Sequence, residues 1–294
     1  MIRAAVVSYG NIGRAAVEAI GASPDFELAG VVSRSAECGM RGNIRFVRSI
    51  DELSGVQAAI LCGPSVHIPE IAEEILKKGI STVDCFDIHG EVFGLFERLD
   101  AAAKKGGCAC VTAVGFDPGL DSAVRALFEA AAPGGLTYTD FGPGMSMGHT
   151  VAVKAVSGVS DALSVTIPAG AGVHRRMVYV VIEDGADFDE IAKKIKNDPY
   201  FVKDETVVAR VPAIEPLKDM GHGARITRKG VSGTTHNQRL CFEMSINNPA
   251  LTAQMMISAA RAVLKRPPGA YTILHLPVID MLPGPQEELI RRLV

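Results

Sequence analysis

Residues 1–35 constrain the fold more than any other part of the chain. An apolar run from Ala4 to Val7 leads into the turn Ser8–Gly13 and then into an alanine-rich helical stretch. A second apolar run, Leu28 to Val32, follows and ends in Ser33 and Arg34. This order of strand, glycine turn, helix and strand is typical of a βαβ unit that binds a dinucleotide.

The glycine turn and the end of the second strand indicate which dinucleotide is bound. Ser8 replaces the first glycine of the usual fingerprint, whereas Gly10 and Gly13 remain and let the backbone approach a pyrophosphate. Ser33 and Arg34 stand where an NAD-binding unit usually carries Asp or Glu. Because a guanidinium binds phosphate and a carboxylate repels it, we favour NADP over NAD. The alternative is an ordinary βα turn followed by a surface arginine.

The bulk composition limits the class of protein and its partners. Of the 294 residues, 48% are hydrophobic and 21% are charged, as in a globular protein with a sizeable core. The formal net charge of -3 and the dispersed Lys and Arg argue against a nucleic-acid partner. No apolar run is long enough to span a bilayer, so we expect a cytoplasmic protein without a membrane partner. The six cysteines lack the spacing of a zinc site, so we expect no metal.

Strands and helices alternate along the first part of the chain. Short apolar segments such as 58–62 and 82–85 are separated by helical patterns such as 68–78 and 91–105. Short apolar strands between helices imply a parallel sheet that is covered on both faces. We therefore predict an α/β domain with a Rossmann-type, doubly wound parallel sheet over residues 1–118.

The pattern changes after residue 118. Longer segments of alternating polarity follow, interrupted by one strong helix at 187–197, which is an α+β layout. We predict that residues 119–248 form a second domain for substrate binding and oligomerisation. The apolar helical pattern that begins at Pro249 needs a sheet to cover, so residues 249–294 are expected to complete the first domain.

Two acidic residues follow strands of the predicted parallel sheet. Asp87 comes after the strand at 82–85, and Asp117 comes after the strand at 108–113. Ligands bind beyond the carboxyl ends of strands in such sheets, where a carboxylate can hold an ammonium group or accept its proton. The alternative for Asp117, which precedes a Pro-Gly pair, is a turn-forming role.

Polar side chains of the second domain occur in three short segments. Taken alone, each segment is more typical of a loop than of a binding site, and glycines flank most of these side chains. The segments are Phe141–His149, His174–Arg176 and Gly221–Gly223.

With these motifs in order, the chain resembles the meso-diaminopimelate dehydrogenase family over nearly its whole length. The order and spacing of the motifs are more specific than any one of them. The matching segments are Tyr9–Gly13, Ser33–Arg34, Val83–His89, Gly115–Gly119, Phe141–Gly144, Gly148–His149, Thr166–Pro168, His174–Arg176, His222–Gly223 and Asn248–Pro249.

The resemblance implies an NADP-dependent enzyme of lysine biosynthesis. Members of that family oxidise the D-centre of meso-2,6-diaminopimelate, reversibly, to L-2-amino-6-oxopimelate, ammonia and NADPH. The resemblance places Asp87 and Asp117 near the reacting centre. It places Phe141, Met147 and Gly148 around that centre, and Thr166, Arg176, His222 and Asn248 at the distal L-centre. The residues expected to contact NADP are Tyr9, Gly10, Asn11, Ile12, Ser33, Arg34, Cys62, Gly63, Ser65, Phe86, Asp87, Ile88, Phe116, Asp117, Pro118 and Gly119.

This chain departs from the family pattern within the expected pocket. Relatives carry tryptophan where this chain has Phe116 or Phe141, and glutamine where it has Met147; the chain contains no tryptophan. A pocket with Phe and Met is less polar and adapts more easily to ligands. We therefore expect broader activity toward D-amino acids or 2-keto acids.

Two other functions stay open from the sequence. Another two-domain NADP oxidoreductase, such as a dihydrodipicolinate reductase-like or homoserine dehydrogenase-like protein, would need a lysine-centred motif, for which Lys154 is the nearest candidate. A non-catalytic NADP-binding sensor would not need the strand-end acids and the polar groups of the second domain together. In every case we expect at least a homodimer, because the second domain carries an exposed mixed sheet.

Overall fold

The computed structural model describes residues 1–33, 38–218 and 221–294, with the side chain of Met147 left out. The chain divides into two compact units. Unit 1 comprises Met1–Ala126 and Pro249–Val294, and unit 2 comprises Leu127–Asn248. The predicted first domain boundary, after residue 118, lies inside unit 1.

Unit 1 is built on an eight-stranded sheet. Strands are numbered along the whole chain, and those of unit 1 are β1 (Ile2–Val7), β2 (Phe26–Val32), β3 (Gly39–Arg41), β4 (Ile44–Val47), β5 (Ala58–Leu61), β6 (Ser81–Asp84), β7 (Ala109–Val111) and β14 (Gly269–Tyr271). Their order across the sheet is β14-β7-β6-β5-β1-β2-β4-β3. Neighbouring strands are parallel except β3 and β4, which are antiparallel.

Helices cover both faces of this sheet. The helices with most or all of their residues in unit 1 are α1 (Asn11–Ala22), α2 (Ile68–Leu76), α3 (Val92–Gly106), α4 (Leu120–Ala131), α7 (Asn248–Val263) and α8 (Gln286–Leu293). Side chains of β1 alternate between the two faces: Ala4 and Val6 pack in one core with α1 and α7, whereas Ala5 and Val7 pack in a second core with α2 and α3. The predicted Rossmann-type, doubly wound parallel sheet is confirmed.

A buried arginine connects the two chain segments of unit 1. The guanidinium of Arg261, in α7, is 6% exposed and donates from Nε and Nη2 to the two carboxylate oxygens of Asp25, at 2.5 and 2.8 Å. Its Nη1 donates to the carbonyl oxygen of Met281 at 2.6 Å. These contacts lower the pKa of Asp25. The bonds fix α7 to the loop that precedes β2.

Unit 2 is built on a six-stranded mixed sheet with two helices among its described residues. The strands are β8 (Gly134–Met145), β9 (Val159–Gly170), β10 (Val173–Ile182), β11 (Glu205–Arg210), β12 (Gly221–Ser232) and β13 (Thr235–Asn247), and the helices are α5 (Met147–Lys154) and α6 (Phe188–Asn197). The strand order is β11-β10-β9-β8-β12-β13, and only β10 and β11 are parallel. The predicted α+β layout is confirmed.

Two local predictions for unit 2 were wrong. Helix α5 was not expected, because its glycine and β-branched residues carry little helical signal. The segments around Gly144 and Gly223 lie in strands rather than in loops. The reason is steric: a Cβ on Gly144 would lie 2.3 Å from the carbonyl oxygen of Gly221, so this strand position requires glycine.

Short 3-10 helices complete the described part of the chain at Ile50–Glu52, Ser65–His67, His89–Glu91, Glu215–Leu217, Ile273–His275 and Val278–Met281. Among the helices of the described residues, none has the length and apolar character that crossing a membrane requires.

Candidate functional site

The turn between β1 and α1 is shaped for an anion. Gly10 caps α1 without a side-chain hydrogen bond, and the first turn of the helix carries no acidic residue. A Cβ on Gly10 would meet no protein atom within 4 Å, whereas a Cβ on Gly13 would lie 2.2 Å from the carbonyl oxygen of Ser8. Gly13 therefore packs the helix against the turn, and Gly10 leaves the backbone N–H groups accessible to a phosphate.

A cavity of about 440 Å³ lies at the carboxyl ends of β1, β2 and β5. Ser8, Ser33 and Gly63 line it, and so do Arg48 and His67, which the sequence analysis did not consider. The Nη1 of Arg48 donates to the carbonyl oxygen of Ser33 at 3.3 Å, so a guanidinium lies at the end of β2. This is the position where dinucleotide-binding units contact the adenosine ribose. The residues present fit NADP.

The predicted residue Arg34 lies outside the described part of the chain. The remaining turn residues of the prediction, Tyr9, Asn11 and Ile12, lie at the start of α1 and just before it. The ring of Tyr9 packs edge-on against Phe46, with centroids 4.9 Å apart. Tyr9 therefore belongs partly to the core.

The loops after β5 and β6 are joined by two hydrogen bonds. The hydroxyl of Ser65 donates to Asp87 Oδ1 at 2.6 Å, and the backbone N–H of Asp87 donates to Ser65 Oγ at 3.1 Å. The backbone N–H of Asp87 thus fixes the Ser65 hydroxyl, which in turn orients the Asp87 carboxylate. In the same loop the side chain of Phe86 is 1% exposed and lies in the core, so only its backbone can reach a cofactor.

A buried carboxyl group beneath these loops was missed by the sequence analysis. Asp84, the last residue of β6, is fully buried, and its Oδ1 accepts hydrogen bonds from Phe86 N (3.0 Å), Ala113 N (3.0 Å) and Thr112 Oγ1 (2.9 Å). Burial raises the pKa of Asp84 to about 6, against the lowering effect of these bonds. Asp84 therefore connects the loop that carries Asp87 with the segment after β7.

Asp117 lies in a second charged cluster at the sheet edge. Its carboxylate is 3.4 Å from Nη1 of Arg125 and 3.8 Å from Nε2 of His89. Asp121, one helical turn later, is fully buried and lies 2.6 Å from Nη2 of the same arginine. Burial, together with the Asp117 carboxyl group, raises the pKa of Asp121 to about 8 despite the charge of Arg125. The cluster can therefore retain a proton on Asp121, beside the Asp117 carboxyl group.

Five strands of unit 2 align candidate residues in one line, which we call the cross-strand row. His222 pairs with Gly144, Gly144 with Thr166, Thr166 with Arg176, and Arg176 with Thr206. Directly paired residues point to the same face of a sheet. The sheet register therefore brings the side chains of three predicted residues, His222, Thr166 and Arg176, to one face.

The guanidinium of Arg176 is held by two hydrogen bonds. Its Nε donates to Asp204 Oδ2 at 2.6 Å, and its Nη1 donates to the hydroxyl of Thr166. Asp204 immediately precedes β11, and its side chain is 21% exposed against 12% for Arg176. Asp204 was not predicted, because nothing in its local sequence separates it from other surface acids.

Phe141 contacts two histidines, of which His222 belongs to the cross-strand row. Its backbone N–H donates to His174 Nε2 at 2.7 Å, and its ring centroid lies 5.7 Å from that of His174 and 6.3 Å from that of His222. Burial and the nearby Arg176 lower the pKa of His174. A neutral His174 is what accepting this hydrogen bond requires.

The start of α5 is fixed by His149. Its Nδ1 lies 2.7 Å from the hydroxyl of Ser146, and its Nε2 lies 3.0 Å from the carbonyl oxygen of Tyr200. Burial lowers the pKa of His149. Gly148 lies in this first turn, where a Cβ would meet only the Tyr200 ring, at 3.9 Å. The side chain of Met147 lies outside the described residues.

The remaining predicted residues occupy three places. Asn248 begins α7, Cys62 and Ile88 follow β5 and β6, and Phe116, Pro118 and Gly119 lie between β7 and α4. Lys154, the candidate for a catalytic lysine, forms an ion pair with Asp161 at 2.6 Å, and both side chains are more than a third exposed. A surface ion pair of this kind gives no support to a lysine-centred mechanism.

Comparison with known sequences gives matches over the whole chain. A family model described as the diaminopimelic acid dehydrogenase C-terminal domain matches residues 115–173. The meso-diaminopimelate D-dehydrogenase of Bacteroides fragilis is 55% identical over 296 residues, which cover 100% of this chain and 99% of that protein.

Solved structures resemble the whole chain as well. C. glutamicum DAP dehydrogenase in complex with DAP has a TM-score of 0.90 and 29% identity, with 100% of this chain and 99% of that chain covered. An engineered D-amino acid dehydrogenase bound to NADP+ has a TM-score of 0.83 and 27% identity, with the same coverage.

Proposed function

The chain belongs to the meso-diaminopimelate D-dehydrogenase family, and from this premise we propose that it oxidises the D-centre of meso-2,6-diaminopimelate with NADP. The observation that carries this proposal is the 55% identity to the Bacteroides fragilis enzyme over the full length of both chains. The reaction converts the substrate, water and NADP+ into L-2-amino-6-oxopimelate, ammonium, NADPH and a proton. It is reversible and serves lysine biosynthesis.

The residues of unit 1 supply the cofactor site in this proposal. NADP+, when bound, supplies the hydride acceptor. The turn at Tyr9–Ile12 would hold the pyrophosphate, and the cavity residues Ser33, Arg48 and Gly63 would hold the adenosine half. Arg34 is proposed to contact the 2′-phosphate together with Arg48.

Asp87 and Asp117 are proposed to act at the reacting D-centre. The substrate ammonium must lose a proton before hydride leaves its carbon, and a carboxylate is a suitable acceptor. The Ser65 hydroxyl fixes the direction of the Asp87 carboxylate, and the Arg125 guanidinium keeps a positive charge beside Asp117. Water then adds to the iminium carbon, and ammonia leaves as the ketone carbonyl of the 2-oxo acid forms.

Arg176, Thr166 and His222 are proposed to hold the distal L-centre. A guanidinium binds a carboxylate in a bidentate arrangement, and the Thr166 hydroxyl lies beside it. Phe141, Met147, Gly148 and Asn248 complete the proposed substrate site.

The test is a stereochemical one. The purified protein is incubated with NADP+ and meso-diaminopimelate, and nicotinamide reduction is followed by absorbance. We expect reduction with the meso isomer and none with the LL isomer, because only the former has a D-centre. Reduction with NAD+ should be much slower. If NADP+ is reduced with neither isomer over a range of pH, the proposal is contradicted.

A second activity toward simple D-amino acids is supported by Phe141, which offers a smaller ring than tryptophan near the D-centre. The test is reductive amination of pyruvate or 2-oxobutyrate with NADPH and ammonium. Absence of any turnover at high enzyme concentration would contradict this second proposal.

We also propose that the protein is at least a homodimer. Ile167, Val173 and Val207 are 40–60% exposed on the sheet of unit 2. Ile167 and Val207 follow Thr166 and Thr206, so they lie on the face opposite the cross-strand row. Light scattering coupled to gel filtration gives the mass directly, and a monomer at micromolar concentration would contradict the proposal.

A further inference from the structure

Asp204 stands at the end of the cross-strand row, beside the arginine proposed for the distal carboxylate. The ion pair between Arg176 Nε and Asp204 Oδ2 is 2.6 Å long. The backbone carbonyl of Asp204 accepts from the Thr206 hydroxyl at 3.2 Å, and its backbone N–H donates to the carbonyl of Phe201 at 3.0 Å. Because the backbone is held on both sides, the Asp204 carboxylate stays at the edge of the guanidinium.

Both partners of this pair keep unused hydrogen-bonding capacity. A guanidinium has five N–H donors, of which Nε–H is used by Asp204 and one on Nη1 by Thr166. Within the described residues, the Nη2 of Arg176 has no partner, and Asp204 Oδ1 accepts no hydrogen bond. Both side chains remain partly exposed, at 12% and 21%. One anion and one cation can therefore be bound side by side.

The charge of the pair decides which ligand fits. A site for a carboxylate alone gains nothing from a second carboxylate next to its arginine, since the two anions repel each other. An α-amino acid head group carries a carboxylate and an ammonium on one carbon, and its two charges match Arg176 and Asp204. The distal L-centre of diaminopimelate is such a head group.

We propose that Asp204 binds the ammonium group of the distal L-centre and makes the enzyme specific for a substrate with a complete amino acid head group at that end. This inference rests on the proposed function. Asp204 would then bind the positive charge of the distal ammonium group. Neither Arg176 nor Thr166 can bind that charge, because both offer hydrogen-bond donors toward the ligand.

The test compares two substrates that differ only in the distal amino group. These are meso-diaminopimelate and D-2-aminopimelate, which keeps both carboxylates and the D-centre. The variant Asp204→Asn removes the charge with little change of shape. The matched control is Glu205→Gln, the next residue, which pairs with Arg175 at 2.7 Å and is largely exposed. Thermal unfolding of each variant verifies the fold.

We expect Asp204→Asn to lower kcat/KM for meso-diaminopimelate by about 10- to 100-fold, as for the loss of a hydrogen bond to a charged group. For D-2-aminopimelate, kcat/KM should stay within about threefold of the wild type or rise, because the repulsion of the carboxylate is removed. Glu205→Gln should change neither value.

Two results would overturn the inference. If Asp204→Asn lowers kcat/KM equally for both substrates, Asp204 only positions Arg176. If it changes neither, Asp204 takes no part in recognition. A wild-type protein that does not turn over meso-diaminopimelate would instead refute the proposed function, so the two failures can be told apart.

Discussion

The two units build their candidate sites by different means. In unit 1 the residues follow the ends of neighbouring parallel strands, and each lies within a few positions of a recognisable motif, as Asp87 and Asp117 do. In unit 2 the residues of the cross-strand row come from five strands and meet only through the sheet register. The residues of a strand-end site can therefore be located from short sequence motifs. The residues of a sheet-face site can be located only when the pairing of the strands is known.

The units also differ in how they stabilise charge. Unit 1 buries two carboxyl groups, Asp84 and Asp121, whose pKa values are raised by burial. In unit 2 the Arg176 guanidinium is matched by Asp204 and by the Thr166 hydroxyl. Unit 1 can therefore hold a proton on a buried carboxyl group, whereas unit 2 presents a paired guanidinium and carboxylate. The predictions below test this division.

The largest effect is expected at the reacting centre. Asp117→Ala should lower kcat by about 10²- to 10⁴-fold, because a proton acceptor is lost from the transition state. Steady-state kinetics with meso-diaminopimelate measures this, with Asp161→Ala, a surface ion-pair residue, as the control. An unchanged kcat would show that Asp117 is not the proton acceptor.

Removal of the fixed charge in unit 2 should act on binding instead. Arg176→Ala is expected to raise KM for meso-diaminopimelate roughly 10- to 100-fold, with kcat within a few-fold of the wild type. The control is Arg175→Ala, whose side chain is 61% exposed. If kcat falls as much as KM rises, the two units do not divide the work as we infer.

A smaller effect is expected in the cavity of unit 1. Arg48→Ala should weaken the binding of 2′,5′-ADP about tenfold, the loss of one charge-assisted hydrogen bond, and leave 5′-ADP unaffected. Isothermal calorimetry on the protein without cofactor measures both ligands. Arg45→Ala, in the strand that immediately precedes Arg48 and not among the residues that line the cavity, serves as the control. Equal weakening of both ligands would place Arg48 away from the 2′-phosphate.

The smallest effect concerns the stored proton. The pKa of Asp121 is about 8 in the folded protein and near 3.8 when unfolded, so folding takes up a proton between these values. Stability therefore falls as pH rises, by about 1.4 kcal/mol per pH unit from this group. Relative to Asp121→Asn, the wild type should lose this amount between about pH 6 and about pH 7 in denaturant unfolding. Parallel stability curves would show that Asp121 is already ionised.

Local patterns predict where the strand-end residues lie in the fold. The glycine turn places Gly10 and Gly13, and the apolar strands place Asp87 and Asp117, since a parallel strand delivers the next residues to one edge of the sheet. Asp84 and Asp121 escaped prediction although they stand beside these motifs. Their burial depends on which side chains pack over them, and composition does not reveal that.

The sheet-face site is predictable only in part. Thr166, Arg176 and His222 could be named from a resemblance, but their alignment follows from pairing between segments that are distant in sequence. Asp204 has neither motif nor periodicity, and only its position next to Arg176 distinguishes it. Strand β12 was missed because its glycines, Gly223 and Gly230, are required by close backbone contacts but resemble loop residues. Helix α5 was missed because its glycine and β-branched residues carry little helical signal.

Unit 1 is built from two separate segments of the chain, and the second segment is synthesised after the whole of unit 2. The ribosome completes all strands of unit 2 before it makes α7 and β14, and domains fold as units as they emerge. Until then the face of the nucleotide-binding sheet that includes Ala4 and Val6 is covered by α1 but lacks α7. The unit made first is therefore finished last, and a nascent chain that stalls after residue 248 presents an apolar surface to chaperones and proteases.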